Sequence, residues 1–398
     1  MAEQRWAWYN VRYVFDGPSM IPVTLPPFHL VAAEDEWQAC LADIRKQSRL
    51  AIDLESNSLY SYLEEVCLIQ LSTSEKDYIL DPIAGSDLFG LGQIIQDPSI
   101  EKVFHAAEYD CILLRRQYGW KLENLFDTMW AARILGYARY GLANVLEDAY
   151  GIKLNKKHQK ANWCRRPLSK AQLIYAQMDT HFLLQLRGDL AEELEEAGRL
   201  EEAREIFAEQ THVQPASKTF DPHGFWTING VNNLSSEQQA VVRALYLYRD
   251  EQAKRQDRPH FKIFGDQTII ELARLSPKHP REIEGLYGMS TGQIRRYGQQ
   301  LVRIVQRAQN DPAPKRPKRN SRRPPEAVSS RYERLHFWRK ESARARGVES
   351  DVIVSRDALW ELARANPSCE ADLSSINGLG PWRCATYGED ILKVLVGS

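Results

Sequence analysis

The C-terminal half of the chain repeats itself at a constant offset of 90 residues. Glu271-Leu272-Ala273-Arg274 recurs as Glu361-Leu362-Ala363-Arg364, Pro277 as Pro367, Gly288 as Gly378, and Tyr297-Gly298 as Tyr387-Gly388. A fixed period of this kind marks two copies of one supersecondary unit. No strand pattern appears after residue 211, so the copies are small helical domains, about 225–309 and 330–398. Residues 310–329 join them, and within 312–325 there are six basic residues and five prolines with nothing apolar large enough to pack. That composition predicts an extended, cationic linker. With a total of 398 residues, a third and larger domain must precede the repeats.

In that N-terminal part the pattern changes to short apolar runs. Leu50–Glu55, Val66–Leu71 and Asp77–Leu80 follow one another with only polar breaks, the signature of an antiparallel meander. Helical patterns then cover about 87–96, 108–118, 127–136 and 141–150, with one short strand at 102–105 between the first two. A long helical pattern begins at Ser169, a good N-cap, and runs to about 209. Strands followed by helices with a further strand predict a layered α/β domain over 28–210. Residues 1–27, rich in Trp and Tyr and ending at Pro26-Pro27, read as an appended extension.

Charge divides the chain in the same place. Residues 1–210 carry 22 Lys+Arg against 32 Asp+Glu, and residues 211–398 carry 30 against 21, although the whole chain is at -1. An acidic half suits divalent cations, and a basic half suits a polyanion. No apolar run reaches membrane-spanning length and the first residues lack signal-peptide order, which predicts a cytoplasmic protein with no membrane partner. Cys40, Cys67, Cys111, Cys164, Cys369 and Cys384 contain no C-x-x-C pair, and free thiols are expected.

Three segments carry candidate chemistry. Asp53 and Glu55 sit two apart in a strand, so both carboxylates share one face while Ile52 and Leu54 point into the core. Like charges side by side call for a cation. Asp110, after Tyr109, opens the helix that follows the 102–105 strand, at the strand end where functional groups of α/β sheets gather. Tyr175 and Asp179, four apart, share a face of the long helix. Four hard carboxylates brought from three elements suit two divalent ions, Mg2+ or Mn2+, which together serve phosphodiester cleavage.

The segments Ala51-Ile52-Asp53-Leu54-Glu55, Val103-Phe104-His105-Ala106-Ala107-Glu108-Tyr109-Asp110 and Leu173-Ile174-Tyr175-Ala176-Gln177-Met178-Asp179 resemble the three motifs of the DEDD 3'-5' exonucleases. With Val66–Ser72, Phe126-Asp127-Thr128, and Trp163 followed by Arg166-Pro167-Leu168, the resemblance narrows to the ribonuclease D group. Tyr175 places the chain on its tyrosine branch, and the repeats resemble HRDC domains. Asn162 departs from the acid expected before Trp163.

The resemblance implies a ribonuclease-H-like domain followed by two HRDC units. It further implies a metal-dependent 3'-5' exoribonuclease that releases nucleoside 5'-monophosphates from structured RNA such as tRNA precursors. No small-molecule cofactor is expected. A DNA exonuclease and a non-catalytic nucleic-acid-binding protein are the alternatives. Asp53 is expected to bridge both ions, Glu55 and Asp179 to complete the first, Asp110 to hold the second, and Tyr175 to orient the attacking water. Phe104 and His105 are candidate contacts to the terminal nucleotide, with a core-edge role for His105 as the competing reading. Asp127 is expected to cap the next helix, and His181, rotated away from Asp179, to be structural. In the second repeat, Gly378-Leu379-Gly380-Pro381-Trp382-Arg383 resembles a phosphate-meeting hairpin, which makes Gly378, Gly380 and Arg383 candidate substrate contacts.

Overall fold

The computed structural model describes residues 25–215, 219–317 and 324–397; the sequence features at 1–24 and in the middle of the linker lie outside the described residues. The described residues sort into two compact units that do not follow chain order. One holds 25–56, 66–215 and 324–397, so the second repeat belongs with the N-terminal domain; the other holds 57–65 and 219–317.

The first unit is built on a six-stranded sheet: β1 (Phe28–Val31), β2 (Arg49–Ser56), β3 (Val66–Ser72), β4 (Asp77–Leu80), β5 (Glu101–Phe104) and β6 (Leu125–Asp127), in the order β1-β4-β3-β2-β5-β6. The expected meander is present as antiparallel β2-β3-β4. The flanks β1, β5 and β6 pair in parallel. β1 and β6 have too few residues for a periodic signal, and tertiary pairing alone reveals them. All seven residues of β3 and all four of β4 are buried, as strands covered on both faces must be.

The helical pattern expected from 169 to 209 is three helices, Lys170–His181, Leu183–Glu196 and Leu200–Thr211. Gly198, at φ +65°, turns the chain between the last two. The first starts at Ser169, whose hydroxyl accepts from the Gln172 N–H in a capping box, as the sequence predicts. It lies across β2, β3 and β4, and Leu183–Glu196 lies across β2 and β5. Buried leucines at 183, 186, 190 and 194 follow the helical period and close the core on that side.

Both repeats are helical, and the 90-residue offset persists in their hydrogen bonds. Arg249 donates to the Phe264 carbonyl as Arg339 does to that of Val354; Gln293 donates to the Ile263 carbonyl as Arg383 does to that of Ile353. The Tyr297 hydroxyl meets Gln256 where the Tyr387 hydroxyl meets Arg346. Repeated sequence thus encodes repeated internal bonding, not just repeated helices.

Cys67 and Cys164 form a disulfide, contrary to the expectation of six free thiols. They lie 97 residues apart with no cysteine spacing that pairs them, so only the fold brings them together. Cys40, Cys111, Cys369 and Cys384 are free. Among the described residues no helix is long and apolar enough to cross a membrane.

Candidate active site

β2 continues beyond its partner β5: the last parallel pair is Ala51 with Val103, and Asp53 and Glu55 lie further along. The sheet therefore opens on one side of these carboxylates, and the chain leaving β5 fills the space. That chain is held by Asp127. Its carboxylate accepts from the N–H groups of Ala106 at 3.0 Å and Ala107 at 2.8 Å, and also from Met129 and Trp130 as the N-cap of Thr128–Ile134. Ala106 is left-handed at φ +67°, a costly conformation for a residue with a Cβ that must be held by its surroundings. The tight turn delivers Asp110 at the third position of the helix Glu108–Tyr118, nearly buried. Asp127 therefore caps as expected and also shapes the loop in front of Asp110, which the sequence did not reveal.

Tyr175 and Asp179 come from Lys170–His181, one turn apart on the same face. Polar contacts on another face of the helix fix its rotation. Gln177 donates to Asp77 at 2.7 Å, His181 Nδ1 lies 2.8 Å from the same oxygen, and Thr180 Oγ1 is 2.8 Å from Ser72 Oγ. His181 is thus structural, as its rotation from Asp179 predicts. Tyr175 is flanked by the rings of Trp163, 5.8 Å away, and His158, 6.1 Å away. The disulfide ties the residue after Trp163 to β3, and Arg166 forks onto Asp81 while also bonding the Cys67 and Trp163 carbonyls. This wall behind Tyr175 was not legible from Cys67 and Cys164 in the sequence; the Trp163 and Arg166 motif was its only signal.

The structure brings Asp53, Glu55 and Asp179 together: each offers a carboxylate oxygen, and the three oxygens lie within 4.8 Å of one another. Burial raises Asp53 to about 7. Burial, with repulsion from Asp53, Asp179 and Asp110, raises Glu55 to about 10. Burial and the Asp53 charge hold Asp110 and Asp179 well above the usual carboxylate range. Tyr175 is pushed up by burial and by the neighbouring acids, which keeps its phenol protonated. Hard oxygen donors, half-buried and mutually repelling, fit divalent cations, whose charge removes the cost of keeping the acids ionised.

Several candidate substrate contacts lie elsewhere. Phe104 is fully buried in the sheet core and presents nothing to a nucleotide. His105 Nδ1 is 3.0 Å from Thr128 Oγ1, and loss of solvent lowers the ring to about 4, so it sits as a neutral core-edge residue. Around Gly378, Gly380 and Arg383, the donors expected to meet a phosphate are occupied from within the same unit. Glu205 accepts from the N–H groups of Gly380 and Trp382 at 3.1 and 2.7 Å, and Arg383 pairs with Glu205 and Glu209. A Cβ on Gly380 would collide with Glu205 at 2.3 Å, so this glycine serves the docking of Leu200–Thr211. The anion at the helix start is the protein's own carboxylate.

Residues 28–195 match the 3'-5' exonuclease family, and residues 238–305 and 329–395 each match the HRDC domain. The chain is 34% identical over 293 residues to the exosome complex exonuclease RRP6 of Saccharomyces cerevisiae, covering 70% of this chain and 40% of that protein. It thus spans well under half the length of that relative. It is 27% identical over 376 residues to ribonuclease D of Granulibacter bethesdensis, covering 92% of each. The crystal structure of the catalytic core of RRP6 from Trypanosoma brucei matches with a TM-score of 0.63 at 28% identity, covering 71% of this chain and 79% of that one. Escherichia coli RNase D, at 23% identity and a TM-score of 0.63, shares the fold over 93% of this chain and 99% of that one.

Proposed function

We propose that this chain, whose residues 28–195 match the 3'-5' exonuclease family and whose two repeats match the HRDC domain, is a metal-dependent exoribonuclease of the ribonuclease D form. It removes nucleoside 5'-monophosphates from the 3' ends of structured RNA such as tRNA precursors. The observation that carries this reading is the convergence of the Asp53, Glu55 and Asp179 oxygens, with Asp110 coupled to them by charge and Tyr175 one turn from Asp179. Asp53, Glu55 and Asp179 would hold one Mg2+ or Mn2+, and Asp53 with Asp110 a second. Bound there, the ions supply an activated water and neutralise the leaving oxygen. The chain's own work is positional. Asp127 sets the Ala106–Asp110 turn, the Ser72, Asp77 and Gln177 contacts fix the helix, and Tyr175, kept protonated, offers its hydroxyl to orient the attacking water.

The test is digestion of matched, labelled RNA and DNA strands with Mg2+ or Mn2+. Stepwise 3' shortening of RNA with 5'-monophosphate release is expected, with loss in excess EDTA. Asp53→Asn and Asp179→Asn should lower turnover by a factor on the order of 10³ or more with RNA affinity nearly intact, because transition-state charge stabilisation is what they lose. Full activity in EDTA overturns the metal assignment, and exclusive cutting of DNA overturns the RNA assignment.

A further inference from the structure

The two repeats serve as internal controls for one another, and they differ most in charge. Residues 225–309 carry 13 Lys+Arg against 8 Asp+Glu; residues 330–398 carry 10 against 10. Much of the difference lies on the last helix of the first repeat, Thr291–Ala308, which contains no Asp or Glu. Tyr297, Leu301, Val302 and Val305 pack inward, while Arg296, Gln300, Arg303 and Arg307 are all exposed. At about 100° per residue these four fall within about 60° of arc, and they run about 16 Å along the helix. Arg296 bonds only the Gln256 amide oxygen, at 3.4 Å, and Arg303 and Arg307 have no ion pair among the described residues. The chain then enters the basic linker, whose Arg316 lies over the Trp226 ring of the same unit at 5.8 Å.

At the equivalent places 90 residues on, Pro381–Val396 and its cap present Thr386, Asp390, Lys393 and Gly397, and Lys393 is paired with Glu389. The fold of the unit therefore does not require the arginines. Position Gln293 also diverges, to Arg383. In the first repeat that residue bonds its own domain alone, whereas in the second it also reaches Glu205 and Glu209 of Leu200–Thr211. The second copy turns Arg346 and Arg383 onto acids of the catalytic domain, and the first leaves Arg296, Arg303 and Arg307 in solvent.

We infer that the two repeats have divided their work: the Arg296–Arg303–Arg307 stripe of the first is the RNA-backbone-binding surface, and the second is a fixed part of the catalytic unit that contributes no phosphate contacts. The ligand follows from the chemistry. Guanidinium groups spaced along one ridge, on a helix with no acid, suit successive phosphates. The inference rests on the exoribonuclease reading for the identity of the polyanion, but not for the location of the surface.

The test uses the full chain in EDTA, so that nothing is cut, with a labelled single-stranded RNA titrated between about 50 and 200 mM salt. The variants are Arg296→Gln/Arg303→Gln/Arg307→Gln and, in the second repeat, Lys340→Gln/Arg344→Gln/Arg356→Gln, both sets exposed. At about 0.7 per phosphate on a single strand, losing three contacts should make the log-log salt slope shallower by about 2 and weaken binding at least about tenfold at 0.1 M. The second-repeat variant should match wild type. Unchanged affinity and slope in the stripe variant, or equal loss in both, overturns the inference, and the first of these outcomes also points to a protein partner for the ridge. Metal-dependent digestion by the same preparations separates the two claims. Stripe-dependent binding without cleavage leaves the surface standing and sinks the enzyme reading; cleavage without stripe dependence does the reverse.

Discussion

His105 shows how one residue reports the environment of the whole strand end. Its ring is held at about 4 against 6.5 in the unfolded chain by loss of solvent. A depressed histidine favours the neutral form, so its contribution to stability is complete above about 6.5 and is lost as pH falls towards 4, where the unfolded chain takes up the proton first. Urea unfolding at pH 7 and at pH 5 should therefore show a smaller drop for His105→Asn than for wild type; equal drops would remove the histidine from the acid response. Tyr175 makes a different prediction, since in the proposed mechanism its phenol orients water and does not hold the ions. Tyr175→Phe should slow single-turnover hydrolysis by about 10- to 100-fold while metal dependence is retained, and unchanged rates would exclude the hydroxyl from the reaction.

Among the elements, β3 and the loop carrying Trp163 are joined by the disulfide, which closes a 97-residue separation. Cross-linking a loop of that length typically stabilises by about 2–4 kcal/mol. Thermal melts of the Cys67→Ser/Cys164→Ser protein should fall accordingly. Because Trp163 flanks Tyr175, kcat should fall more than RNA affinity; a melt insensitive to reductant and to the substitution would show that the bond does no work. The expectation of free thiols does not hold for this pair.

For the whole molecule, the decisive contacts are those that fasten the second repeat to the catalytic domain. Glu202 is fully buried and meets Arg346 at 2.6 Å, and Arg133 pairs with Glu349 and Asp351. Removing one partner of a buried pair costs about 3–5 kcal/mol because the other charge is left without compensation. Arg346→Met leaves Glu202 only the longer contact to Arg199 at 3.5 Å, so it should lower stability by somewhat less than that amount, and Arg346→Met with Glu202→Leu should recover much of it. Truncation after about residue 215, which the chain order would favour as a minimal nuclease, should give a markedly less stable protein. A truncate melting with the wild type would mean that these pairs are ornamental.

Local patterns determined the repeats, the meander and the layered class, and they marked Asp53, Glu55, Asp110, Tyr175 and Asp179 as candidates, because strand alternation, helical spacing and a 90-residue period are properties written into the sequence itself. Tertiary structure decided what lies at long separation. Cys67 met Cys164, Asp127 met the amides before Asp110, Phe104 went into the core, and Glu205 took the donors at Gly380. A helix start binds whichever anion the fold brings to it, and no local pattern states whether that anion is a phosphate or a carboxylate 175 residues earlier in the same chain.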